Sequence, residues 1–194
     1  MAAVVCGCLC LQPARAAADW LITPFLGLKL DGQTTLVDLD QAAGAPKMTI
    51  GGSVALLGDG IVGLEGDFGF TPGFFDSNSR GALVAHSNVM TLTGNVLLAA
   101  PAGLTRESLR PYILGGLGLM RASIDDVTGV FPLRPNFLAL AIGGGAIGGL
   151  TERTSVRFDL RRFQNLTTDP NRVMGFGRSR LSFWRADVGL TFRY

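Results

Sequence analysis

The sequence predicts an all-β protein, an eight-stranded antiparallel up-and-down transmembrane β-barrel, and three observations carry that prediction. Segments of about ten residues alternate apolar and polar side chains with a period of two. Their connections alternate long and short along the chain, and the strand charges sit opposite large aromatics. Composition agrees: 194 residues fit one domain, and 27 glycines, 47% hydrophobic and 16% charged residues make a chain too apolar for an ordinary soluble protein. After the N-terminus no apolar run reaches the roughly 18 residues of a membrane helix, so any span is built from strands. A net charge of +2, dispersed lysines and arginines and no base-reading module exclude nucleic acid as a partner.

Residues 1–18 read as a secretory signal peptide, with an apolar stretch over 2–11 and small-x-small cleavage sites at Ala14-Arg15-Ala16 and Ala16-Ala17-Ala18. Asp19 is then the expected mature N-terminus and 19–194 the barrel domain. No Lys or Arg precedes Arg15, so the basic n-region of a signal peptide is missing, which either weakens this reading or implies a start codon further upstream. Cys6, Cys8 and Cys10 all fall in the leader, so the mature chain has no disulfide framework and no thiolate metal site. Cys6 in Val5-Cys6-Gly7-Cys8 also offers a lipid-attachment box, a weaker alternative because it lies so near the start.

The strands follow in order. Trp20, Ile22, Leu26, Leu28 and Leu30 alternate with Thr23, Gly27 and Lys29; residues 49–57 form a second, Gly-rich segment. The clearest pattern spans 61–71, where Val62, Leu64, Gly66, Phe68 and Phe70 face one way and Glu65, Asp67, Gly69 and Thr71 the other. Met90, Leu92, Val96 and Leu98 oppose Thr91, Thr93 and Asn95. Residues 111–122 and 137–149 are again rich in Gly and Ala. In the first of these, Arg121 favours an inward face for Ile113, Gly115, Leu117 and Leu119, because a lipid-facing charge is costly at mid-bilayer. Val156, Phe158 and Leu160 oppose Arg157, Asp159 and Arg161, and Trp184, Ala186, Val188, Leu190, Phe192 and Tyr194 oppose Arg185, Asp187 and Arg193.

Connections over 31–48, 72–87, 123–136 and 164–180 are long; those over 58–60, 101–108 and 150–153 are short. An even strand number with loops long on one side is the pattern of outer-membrane barrels and puts both termini on the periplasmic side. A lipocalin-like soluble barrel has the same periodicity, but its cavity would be crowded by Phe68, Phe70, Trp184 and Phe192. In lipid the faces invert, and the interior of eight strands is narrow enough for side chains to fill. Lys29, Glu65, Asp67, Arg157, Asp159, Arg161, Arg185, Asp187 and Arg193 are accordingly expected to form one ion network in a plugged lumen, with Asp159 and Asp187, flanked by arginines on their own strands, mattering most.

The chain ends Val188-Gly189-Leu190-Thr191-Phe192-Arg193-Tyr194, alternating hydrophobics that finish on an aromatic. Arg110-Pro111-Tyr112 opens a Gly-rich strand, and Leu150-Thr151-Glu152-Arg153 leads into Arg157-Phe158-Asp159-Leu160. On these phrases residues 19–194 resemble the small outer-membrane β-barrel superfamily, the OmpA-like and OmpX-like membrane domains. The resemblance implies a bacterial outer-membrane protein in which Val188, Leu190, Phe192 and Tyr194 are the signal read by the barrel assembly machinery. Because the sequence ends at Tyr194, it carries the expectation of a barrel without the peptidoglycan-binding domain of full-length OmpA-type proteins.

Other chemistry has less support. Gly143-Gly144-Gly145-Ala146-Ile147-Gly148 fits a dinucleotide fingerprint, which needs a helix after it, and strand and turn are expected there. His86 and Ser87, in or near the second long loop, do not match the His and Ser two positions apart near the C-terminus of lipid A deacylases, the enzymes of similar barrels. One histidine and scattered carboxylates such as Asp38, Asp40, Asp125 and Asp126 suggest no metal site. Glu65 and Asp67 share a face like a glycosidase pair, but facing arginines favour ion pairing. The expected role is non-enzymatic, structural or interacting through long loops with an unidentified partner, without catalytic residues, cofactor or metal. A narrow solute conduit or a lipid-modifying enzyme is the alternative.

Overall fold

The computed structural model describes residues 19–34, 46–74, 84–101, 109–126, 136–166 and 181–194. They form β1 (Asp19–Thr34), β2 (Lys47–Leu57), β3 (Val62–Pro72), β4 (Val84–Ala99), β5 (Leu109–Asp126), β6 (Asn136–Gly149), β7 (Thr154–Asn165) and β8 (Leu181–Arg193). Each strand pairs antiparallel with the next and β8 pairs with β1, closing the barrel. Closure leaves no sheet edge, so backbone groups are satisfied without water. At the seam Trp20 and Tyr194 exchange both backbone bonds, at 3.1 and 3.0 Å.

The register fixes the tilt. From Asp19 the pairing runs through Leu57, Gly63, Leu97, Leu114, Gly143, Arg161 and Arg185, and returns to β1 at Lys29, ten residues above its start. Such a stagger makes strands climb steeply around the wall and leaves an interior that side chains fill.

Period-two patterning decides the faces. Outward Ile113, Leu119 and Phe158 are 56–62% exposed, while inward Lys29 and Asp67 are fully buried. A soluble barrel would have the reverse, so this surface is matched to lipid. Val188, Leu190, Phe192 and Tyr194 all lie on the outward face. The Gly- and Ala-rich segments hold as strands because both their edges are paired, and at Gly145 the absent side chain is required: a Cβ there would collide with Phe158 O and the Tyr112 ring and hydroxyl.

Three expectations are corrected. Ile113, Leu117 and Leu119 face outward together with Arg121, and Tyr112, Leu114, Met120 and Ala122 face the lumen. Arg121 lies twelve residues beyond Leu109, at the far end of the apolar wall, where a long side chain reaches the interface, so the mid-bilayer penalty does not apply to it. The strands also run further towards the long loops than the alternation suggests. β5 extends to Asp126, leaving nine residues before β6, no more than the nine between β4 and β5, because backbone pairing continues after apolar patterning stops. For the same reason His86 belongs to β4, opposite Asp125, and not to a loop. The proposed leader, Cys6, Cys8 and Cys10 included, lies outside the described residues, as do Asp38 and Asp40.

Arg110 ties the short-turn rim together. Its Nε donates to Ala100 O at 2.8 Å, and its Nη2 donates to Gly58 O and Gly60 O, joining the β2–β3 turn to the end of β4. Hydrogen bonds from a charged donor contribute about 1.5–3 kcal/mol. Arg110→Leu is therefore expected to speed amide exchange at 58–61 by tenfold or more, leaving the long-loop ends of the strands unchanged; uniform exchange in variant and wild type would refute the tie.

Candidate functional site

Among the described residues, the lumen is where the fold gathers charge. Glu65 and Asp67 on β3 point across it to β7 and β8, and alternate positions on those strands supply the partners. Arg157 contacts Glu65 at 2.5 Å and Asp159 at 2.8 Å. Arg161 reaches Glu65 at 2.8 Å, Asp159 at 2.9 Å and Asp67 at 3.2 Å. Arg185 binds both Asp67 oxygens at 2.9 Å and Asp187 at 2.7 Å. Asn95 extends the array by donating to Glu65 at 3.0 Å. These seven charged groups form one connected cluster. Lys29, beside Arg185 in register and 4.5 Å from the Phe74 ring, brings a fourth positive charge against four carboxylates.

Its centre differs from the expectation. Asp159 and Asp187 pair with arginines of their own strands, whereas Glu65 and Asp67, whose side chains are wholly buried, join β3 to β7 and β8. Arg193 does not belong to the cluster. Its side chain is 43% exposed and pairs with Asp19 at 3.5 Å across the seam, because its inward-parity position lies beyond the end of the filled interior.

Glycines make room for the long side chains. A Cβ on Gly69 would meet Arg185 Nη1, and one on Gly27, the register neighbour of Asp187, would meet Asp187 Oδ1, so both glycines leave space that these charged ends occupy.

Apolar layers lie on both sides of the ions. Towards the short turns, Leu21, Leu57, Leu97, Tyr112, Leu114 and Ile147 form one buried cluster. Towards the long loops, Phe74, Val89, Met120, Phe163, Leu181 and Phe183 form another. There Phe183 stacks on Phe163 at 5.1 Å and meets Phe74 edge-on at 5.3 Å. The cations join the layers, Arg185 lying 4.7 Å from the Phe25 ring and 4.9 Å from that of Phe163, and Arg157 lying 4.8 Å from Tyr112. The sequence reading missed these layers, although Phe163 and Phe183 share the parity of Arg161 and Arg185 and so carried the signal.

The remaining candidates assemble nothing further. Ser87 is buried in the wall of β4, where its carbonyl accepts from Gly73 N–H at 2.7 Å. Gly143, Gly145 and Gly148 all lie within β6, which passes by a tight turn into β7. A pyrophosphate has no helix N-terminus there.

Family models and curated proteins show no match to the chain. Solved structures do. Neisserial surface protein A aligns over 90% of this chain and 97% of its own, with a TM-score of 0.60 and 15% identity. The N-terminal β-barrel domain of Pseudomonas aeruginosa OprF covers 91% and 98%, at 0.55 and 18%. The outer membrane protein OprG of the same organism covers 92% and 97%, at 0.55 and 16%. At such identities the likeness establishes the architecture: the chain has the fold of the small eight-stranded outer-membrane β-barrels.

Proposed function

We propose that this chain is a non-conducting barrel of the bacterial outer membrane, a stable non-enzymatic platform that holds its long-loop face to the outside while both termini stay periplasmic. The observation that carries this reading is the layered lumen, in which a charge-matched ion cluster lies between two apolar layers. An ion entering from either end would have to cross a layer of mostly apolar side chains, with a few hydroxyls such as Tyr112 Oη and the Thr23–Thr191 pair in place of its hydration shell, which is costly. On the same reading outer-membrane lipid surrounds the wall, and Val188, Leu190, Phe192 and Tyr194, all outward on the closing strand, are offered to the assembly machinery.

Planar-bilayer recording tests the seal. The wild-type chain is expected to show no unitary conductance, and Phe163→Ala combined with Phe183→Ala, which removes the stacked pair from the upper layer, is expected to raise leakage while leaving heat-modifiable gel mobility intact. Steady channels from the wild type would replace this reading with that of a conduit.

A further inference from the structure

The outer wall contains a groove with a cation at one end. Where β6, β7, β8 and β1 lie side by side, register places Gly144, Leu160, Ala186 and Leu28 in one row and Ala146, Phe158, Val188 and Leu26 in the next. Gly144, Ala146 and Ala186 are small, so the wall is hollowed between its larger neighbours into an open apolar groove of about 630 Å³. The next row towards the long loops is Ile142, Arg162, Trp184 and Leu30. Arg162 is exposed on the lipid side, its guanidinium 5.7 Å from the Trp184 ring, and among the described residues no carboxylate pairs with it. Gln164 and Ser182 follow one row higher.

A lipid-facing arginine below the top of the apolar wall is unfavourable unless something negative meets it. The hollow beneath has the opposite need, an apolar chain to fill space that stiff wall residues leave empty. One molecule satisfies both. We propose that the β6–β7–β8–β1 face is a binding site for an anionic, phosphate-bearing lipid of the leaflet on the long-loop side, its phosphate on Arg162 and Gln164 and an acyl chain in the groove floored by Gly144, Ala146 and Ala186. Trp184 holds the guanidinium by cation–π contact and occupies the interfacial position that indoles favour. The inference rests on the membrane-barrel reading above.

Native mass spectrometry of the full chain, released from micelles doped with dioleoylphosphatidylglycerol or dioleoylphosphatidylcholine, tests it. Wild type is expected to retain the anionic lipid about fivefold better than the zwitterionic one. Arg162→Gln is expected to erase that preference without lowering phosphatidylcholine retention, Arg162→Lys to restore most of it, and Ala186→Phe to lower retention of both lipids. Equal retention of the two lipids by wild type, a preference that survives Arg162→Gln, or full retention by Ala186→Phe would overturn the site. Both side chains point away from the lumen, and folding is checked by the mobility shift of unboiled protein. If wild type itself fails to insert into lipid vesicles, the membrane reading fails; if it inserts but shows no lipid preference, only the site fails.

Discussion

Arg161→Met is expected to destabilise the barrel by about 3–5 kcal/mol, more than any other single replacement among the lumen charges. Among the described residues Arg161 alone touches three carboxylates, Glu65, Asp67 and Asp159. Its removal leaves Glu65 with Arg157, Asp67 with Arg185 and Asp159 with Arg157, so a cluster balanced with Lys29 acquires one unmatched negative charge. On the sealed-lumen proposal that charge lies between the two apolar layers, so solvation does not offset the loss. Adding Glu65→Gln restores the balance, and the double variant is expected to recover a large part of the stability, since replacing both sides of a buried pair is often nearly neutral. Urea unfolding in liposomes, with folding followed by gel mobility, reads both. A single variant that unfolds at the wild-type midpoint would mean that the lumen is wet.

Phe68→Arg is expected to lower the yield of folded, membrane-inserted barrel severely, with a penalty of about 2–4 kcal/mol. Phe68 lies on the outward face of β3, paired between Gly52 and Leu92 and 41% exposed, six residues along from Val62 at the short-turn end. A charge there meets lipid far from either interface. Val62→Arg places the same charge on the same face of the same strand, at its end, where the penalty falls to about 0–1 kcal/mol. Comparable insertion of the two variants into vesicles would show that the apolar band is not where the alternation of β3 places it.

These two variants test parts of the protein that were legible to different degrees. The faces of β3, β7 and β8 follow from residue order alone, because a one-residue slip would turn Glu65, Asp67, Arg157 and Asp187 into lipid. The face of β5 is not legible because the segment 111–122 has one charge, Arg121, and the sequence does not give its depth. In β2 and β6 the glycines obscured the pattern, since a residue without a side chain votes for neither face. His86 reads as in or near a loop because β4 keeps its backbone pairing past the point where its side chains stop alternating.

Composition and period two were sufficient to determine eight antiparallel strands, closure, and an exterior more apolar than the interior, because each is a local property of strands in lipid. Which charges meet across the lumen was decided by tertiary structure. The ten-residue stagger brings β3 opposite β7 and β8, and strand patterns cannot reveal a shift that accumulates over all eight pairings. The same stagger places Glu65 and Asp67 at the centre of the cluster, leaves Arg193 at the rim with Asp19, and stacks Phe163 and Phe183 above the ions. Alternation specifies the face of each residue; its height within the barrel, and therefore its partner, is set only when the sheet closes.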